Sequence, residues 1–209
     1  MTPIDPLASG PCRVIIENLK PASDQGLFPV KSVIGEPIDV SAHIFADGHD
    51  SIQALLLHRK IGAGEWKETP LAVGPNDNWT VRIFLEEIGI HEFTVAAWID
   101  HFFSWQKGFR KKVESAQGIN VELDIGTELI DDLQTRASAN DREALQQMAV
   151  LLREPGVPMG EKIHVLLSEE LTELARRSSD RSNQTLLPSQ EIWVERKRAC
   201  FSSWYEFFP

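Results

Sequence analysis

Cysteine is nearly absent from this chain: there are two in 209 residues, Cys12 and Cys200. At that separation, and without an export signal, free reduced thiols are the expectation rather than a disulfide framework. Positive charge is also short. Lys and Arg number 21 against 31 Asp and Glu, for a net charge of −10. That balance argues against nucleic acid and against an anionic membrane as partners, since both are captured by clustered cations. The basic runs that exist, residues 107–112 and 196–198, have acidic neighbours and read as solvated faces. No segment approaches the roughly 18 consecutive apolar residues of a membrane span. The opening MTPIDPLASGP has no basic stretch leading into an apolar one, so it does not read as a signal peptide. A cytoplasmic protein is expected, in which the sequons at Asn78 and Asn183 are irrelevant.

Familiar chemical signatures are missing as well. The P-loop pattern, G-x-S-x-G, H-E-x-x-H and paired C-x-x-C do not occur. Gly62-x-Gly64 lacks a third glycine and falls between two strand-like runs, the wrong setting for a dinucleotide site. Asp47-Gly48-His49-Asp50 and Asp100-His101 collect metal-competent side chains, but Asp-Gly is the ordinary composition of a tight turn. Glu86 and Glu87 are adjacent, and adjacent strand residues point to opposite faces, so they cannot flank one glycosidic bond. No catalytic, cofactor-binding or metal-binding residue is assigned, and no cofactor is expected.

What the chain does contain is strand after strand. Residues 13–18 form a short β-branched run closed by Pro21. In 37–46, Ile38, Val40, Ala42 and Ile44 alternate with Asp39, Ser41, His43 and Phe45. Runs at 52–60, 65–71, 79–85 and 91–100 follow, separated by Gly-, Asn- and Asp-rich turns, and 103–113 reads as a further extended segment. About seven short strands at near-regular spacing, with no helices between them, predict an antiparallel immunoglobulin-like β-sandwich rather than a parallel α/β sheet.

The period then changes. Val121, Ile125, Leu129 and Leu133 recur every four residues behind a possible Asn120 cap, with Ile130 alongside. A helix over 141–153 carries Leu145, Met148, Ala149 and Leu152, and the Pro155–Pro158 region stops it; a third over 161–178 carries Leu166, Leu167, Leu171 and Leu174. Three helices of marginal length must pack on one another or on a partner. Residues 191–200 read as extended again, with Ile192 and Val194 on one side. A strand returning after helices would rejoin the sandwich. The expected domains are therefore 1–113 plus 191–200 as the sandwich, 114–190 as a helical insertion, and 201–209 as a joint.

Aromatic residues are unevenly placed. Trp66, Trp79, Trp98 and Trp105 fall in the strand section, and FSSWYEFFP closes the sequence. Sheet-borne indoles either fill a core or stack on sugars. Trp98, opposite Phe93 in the alternation, and Trp105 are the candidate substrate-binding residues. Trp204, Tyr205, Phe207 and Phe208 are expected to pack on a domain surface or against a neighbouring molecule.

Several blocks resemble the bacterial α-1,4-glucan:maltose-1-phosphate maltosyltransferases of the α-amylase superfamily. They are Arg13-Val14-Ile15-Ile16-Glu17-Asn18, Phe28-Pro29-Val30-Lys31, Gly35-Glu36-Pro37, the FADGHD segment 45–50, the EFTVAAWIDHF segment 92–102, and Trp193-Val194-Glu195-Arg196 with 201–209. The resemblance implies an N-terminal sandwich with a helical insertion, followed by a (β/α)₈ barrel that transfers maltosyl units from maltose 1-phosphate to an α-1,4-glucan with retention. It implies homodimers in which the N-terminal and helical domains take part. The nucleophilic aspartate and acid/base glutamate lie at barrel strand ends, and no position here matches their motifs. The expectation is a non-catalytic N-terminal region serving assembly and site shaping, inactive alone. The alternatives are an autonomous glucan-binding module using surface tryptophans, and an adaptor of unrelated ancestry.

Overall fold

The computed structural model describes residues 13–201 together with 206 and 207. The chain divides into two units: residues 1–47, 52–98 and 184–209 form a sheet unit, and 48–51 with 99–183 form a helical unit. The boundaries thus fall at 98 and 184, where the sequence placed them at 113 and 191.

In the sheet unit, β1 (Val14–Lys20), β3 (Pro37–Ala46), β7 (Asn78–Phe84) and β6 (Ala72–Val73) form one sheet in the order β1-β3-β7-β6. The second sheet runs β2-β10-β8-β4-β5, made of β2 (Val30–Val33), β10 (Gln190–Glu195), β8 (Gly89–Ile99), β4 (Ile52–Lys60) and β5 (Lys67–Pro70), with β9 (Thr185–Leu186) pairing β8. The alternation read in β3 has a direct cause. Ile38, Val40, Ala42 and Ile44 are all buried, while Asp39, Ser41 and His43 remain accessible, because successive strand side chains leave opposite faces. Trp79 of β7 is buried and donates from Nε1 to the Ile44 carbonyl at 3.1 Å, so its one polar atom is satisfied.

The returning strand is present but pairs in a mixed manner. β10 runs antiparallel to β8, with Ile192 opposite His91, and parallel to β2, with Ile192 opposite Val30. The second sheet is therefore not purely antiparallel. β10 ends at Glu195, and a 3₁₀ turn occupies Lys197–Cys200, so the extended reading was five residues too long.

The helical unit holds five α-helices: α1 (His101–Glu114), α2 (Asn120–Arg136), α3 (Ala139–Arg153), α4 (Met159–Leu166) and α5 (Glu169–Arg177). Four expectations fail here. Residues 103–113 are helix, not strand: Asp100 caps α1 by accepting from the Phe103 amide at 3.0 Å, and Phe102, Gln106 and Phe109 share a buried stripe at helical spacing. The third predicted helix is two. The Ser168 hydroxyl donates to the Val165 carbonyl and accepts from the Leu171 amide, which closes α4 and starts α5. The apolar face of α2 is rotated: Val121 and Ile125 are exposed, while Gly126, Ile130 and Leu133 are buried. Asn120 is the first residue of α2 rather than its cap, and Ser138 caps α3 by accepting from the Asp141 amide.

Phe102, Phe109, Ile130, Leu145, Leu166 and Leu171 lead the core of this unit. This orientation of α2 places Gly126 against Trp105. A Cβ on Gly126 would lie 2.5 Å from the Trp105 ring, so glycine is what lets the indole of α1 reach the α2 backbone.

Candidate functional site

Neither candidate tryptophan offers a free ring. Trp98 is 2% exposed. Trp105 lies on α1, not on a strand, half-buried against the core, its ring stacked on Phe109 with centroids 5.2 Å apart. Trp66 is covered by Arg59, whose guanidinium carbon sits 4.2 Å from the ring centroid. Among the described tryptophans Trp193 of β10 is the exposed one, at 45%, with Lys31 Nζ 5.8 Å from its ring. At the C-terminal end Phe201 and Phe207 are 84% and 92% exposed, so Phe207 does not pack on a domain surface. Trp204, Tyr205, Phe208 and Cys12 lie outside the described residues.

The acid–histidine loops have structural partners. Asp47 takes an ion pair from Arg13 at 2.9 Å. Asp100 is buried, and besides capping α1 it accepts from the Ser179 hydroxyl at 2.6 Å; its own amide donates to the Ser51 carbonyl at 2.8 Å. This knot ties the segments around 51, 100 and 179 of the helical unit together. A small cavity of about 60 Å³ beside it is lined by His101, Asp132, Arg136 and Asp180, too small for more than a water or two. Among the described residues, no three His, Cys, Asp or Glu side chains are grouped to hold a metal ion. Glu86 and Glu87 are exposed, and Glu87 pairs with Lys60 at 2.9 Å, which holds its carboxyl below the usual range.

A larger concavity lies in the sheet unit. A cleft of about 560 Å³ lies between the two sheets, lined by His58, Lys67 and His91 on one side and by Arg82 to Leu85 on the other. Its position follows from register. His58 of β4 is directly opposite Lys67 of β5, and cross-strand partners project from the same face. His58 continues the buried row Ala54, Leu56, and His91 heads the buried row Phe93, Val95, Ala97. Both strands place a histidine where the next core residue would otherwise stand.

The two imidazoles differ. His91 Nε2 meets the Glu87 carbonyl at 2.9 Å; a carbonyl can only accept, so this nitrogen carries the proton. His58 Nε2 is buried and has no hydrogen-bond partner among the described residues. Burial first, then the charges of Lys67 and His91, push the His58 pKa below its ordinary value. The neighbouring cations are engaged: Arg59 with Glu92 at 2.7 Å, Lys60 with Glu87, and Arg82 with Asp39 through two bonds of 2.6 and 2.9 Å. Of these residues the sequence singles out only Glu87, as one of an adjacent acidic pair, and neither histidine. The available signal was a histidine on the apolar side of an alternating strand, at both 58 and 91.

No helix among the described residues is long and apolar enough to cross a membrane. Residues 12–196 match the family model for α-1,4-glucan:maltose-1-phosphate maltosyltransferase, domain N/S. The chain is 37% identical over 198 residues to the α-1,4-glucan:maltose-1-phosphate maltosyltransferase of Chlorobaculum tepidum, covering 94% of this chain and 29% of that protein. It is 36% identical, at the same coverage, to the enzyme of that name from Methylacidiphilum infernorum, and 34% identical over 205 residues to that of Myxococcus xanthus. The chain therefore spans less than a third of the length of these relatives. With its sheet unit, its interrupting helices and a match over 185 consecutive positions (12 to 196), this chain belongs to the α-1,4-glucan:maltose-1-phosphate maltosyltransferase family, in the part designated domain N/S.

Proposed function

We propose that this chain is the non-catalytic N-terminal region of a maltosyltransferase, serving assembly and the shaping of the active site rather than the reaction itself. The observation that carries the reading is the match of 12–196 to domain N/S of a family whose relatives are about three times longer. In this reading the sheet unit is an immunoglobulin-like sandwich and the helical unit is its insertion. The whole protein is a retaining glycosyltransferase of the cytoplasm, transferring maltosyl units from maltose 1-phosphate to α-1,4-glucans during glucan synthesis. Its subunits pair as a homodimer through the N-terminal and helical regions.

The burial of Trp98 and the stacking of Trp105 leave the autonomous glucan-binding module without its proposed platform. Titration of the chain with malto-oligosaccharides, followed by tryptophan fluorescence, is expected to give no saturable quenching. The assembly role is tested by sedimentation equilibrium over a wide concentration range. A dimer of the 23.5 kDa chain that dissociates on dilution is expected. A monomer at every concentration would show that these two regions do not provide the subunit contact.

A further inference from the structure

The cleft between the two sheets holds a feature that packing does not explain. His58 is 6% exposed and lines a cavity of about 560 Å³, yet its Nε2 has no partner among the described residues. An unpaired buried nitrogen bears the full cost of its desolvation, and such atoms in folded proteins call for a reason. The volume falls within the 300–1,000 Å³ typical of small-molecule sites.

The surroundings select the ligand's charge. Lys67 is opposite His58 on the same sheet face, and His91 lines the same cleft. Both act on His58 as positive neighbours. Lys60 borders the cleft and is paired with Glu87, while Arg59 and Arg82 adjoin inward-facing His58 and Ile83 in sequence, so their side chains leave the opposite faces and pair there with Glu92 and Asp39. The carboxylates at the cleft, Glu65, Glu86 and Glu87, are exposed. Their negative charge opposes extended polyanions such as nucleic acid.

We propose that this cleft binds a small molecule bearing one oxyanion group, phosphoryl or carboxylate, which accepts a hydrogen bond from His58 Nε2 and faces the Lys67 ammonium. The proposal rests on the sheet unit's geometry and not on the assembly role. An anion favours protonated His58, so binding raises the His58 titration midpoint and strengthens as pH falls.

The test is an NMR titration of the intact chain, reading the His58 imidazole resonances at constant ionic strength. Inorganic phosphate is one arm, acetate a second, and sodium chloride the control. The expected result is a saturable shift of His58 with phosphate or acetate, an upward move of its midpoint, and about tenfold weaker binding in Lys67→Met, the loss of one charge-assisted contact. The stronger of the two arms identifies the oxyanion. Lys67 is exposed, so its replacement leaves the core intact. His58 resonances that do not respond, that respond equally to chloride, or that respond with unchanged affinity in Lys67→Met would overturn the proposal.

Discussion

The sheet unit and the helical unit arrange their buried side chains differently. In the sheet unit the interior mixes small and β-branched side chains, Val40, Ala42, Ile44, Val95 and Val194, with the larger Leu56, Trp79, Phe93 and Trp98, and spreads them over several strands. Polar groups share the inner faces, as His58 and His91 do. The helical unit instead concentrates its interior. Phe102, Trp105 and Phe109 lie on the single helix α1, with ring centroids 5.7 Å apart for the first pair and 5.2 Å for the second. Four other helices close around them through Ile130, Leu145, Leu166 and Leu171. A distributed core tolerates a polar defect and can keep a cleft open. A concentrated one depends on a few large side chains and one backbone approach.

That contrast breaks first at Phe109, which is fully buried. Phe109→Ala should cost about 3–5 kcal/mol, whereas Ile44→Val in the sheet unit should cost about 1 kcal/mol. Hydrogen exchange resolved by unit is the suitable measurement, because a chain with two units need not unfold in one step. Similar losses at both sites would remove the distinction.

Gly126 tests the same concentration from the backbone side. Alanine in an exposed helix interior would normally stabilise by about 1 kcal/mol over glycine. Here the added Cβ meets the Trp105 ring at 2.5 Å, so Gly126→Ala should destabilise by about 1–3 kcal/mol, the cost of overpacking. In a Trp105→Phe background, which shortens the ring, the sign should reverse. A substitution that stabilises the wild type would show that the ring moves aside freely.

Asp100→Ala removes the α1 cap and the Ser179 contact together, and about 1–2 kcal/mol should be lost from the helical unit by thermal or chemical denaturation. The sheet unit should be unaffected.

The smallest effect concerns pH and lies in the sheet unit. The His58 pKa is depressed in the folded state, so the unfolded chain binds the extra proton first. Stability from this group is fully present above the unfolded value of about 6.5 and is lost as pH falls through the folded value. His58→Gln should flatten that acid dependence while leaving the helical unit's pH profile unchanged. An unaltered profile would mean that His58 is not the group responsible.

How much of this was legible in the sequence follows the same division. The β3 alternation was plain because its side chains have period two and one wet face. The return of β10 after the helices was also legible in Ile192 and Val194. Its parallel pairing with β2 was not, since partner choice depends on which edge is free. In the helical unit, the aromatic residues of α1 mimic a strand when read by propensity. The spacing of Phe102, Gln106 and Phe109 behind Asp100 carried the correct signal. The face of α2 is not legible because glycine is silent in a hydrophobic pattern, although the Trp105 ring packs directly against Gly126. The cleft histidines carry no motif, since single histidines on apolar faces match none. They become informative only when register sets Lys67 opposite His58.

The central claim, that this chain contributes assembly and shaping but no chemistry, is tested most directly by its own catalysis. The purified chain is incubated with maltose 1-phosphate and an α-1,4-glucan acceptor, and released inorganic phosphate is measured. No release above the protein-free control is predicted. Phosphate release that scales with the amount of chain would contradict the account.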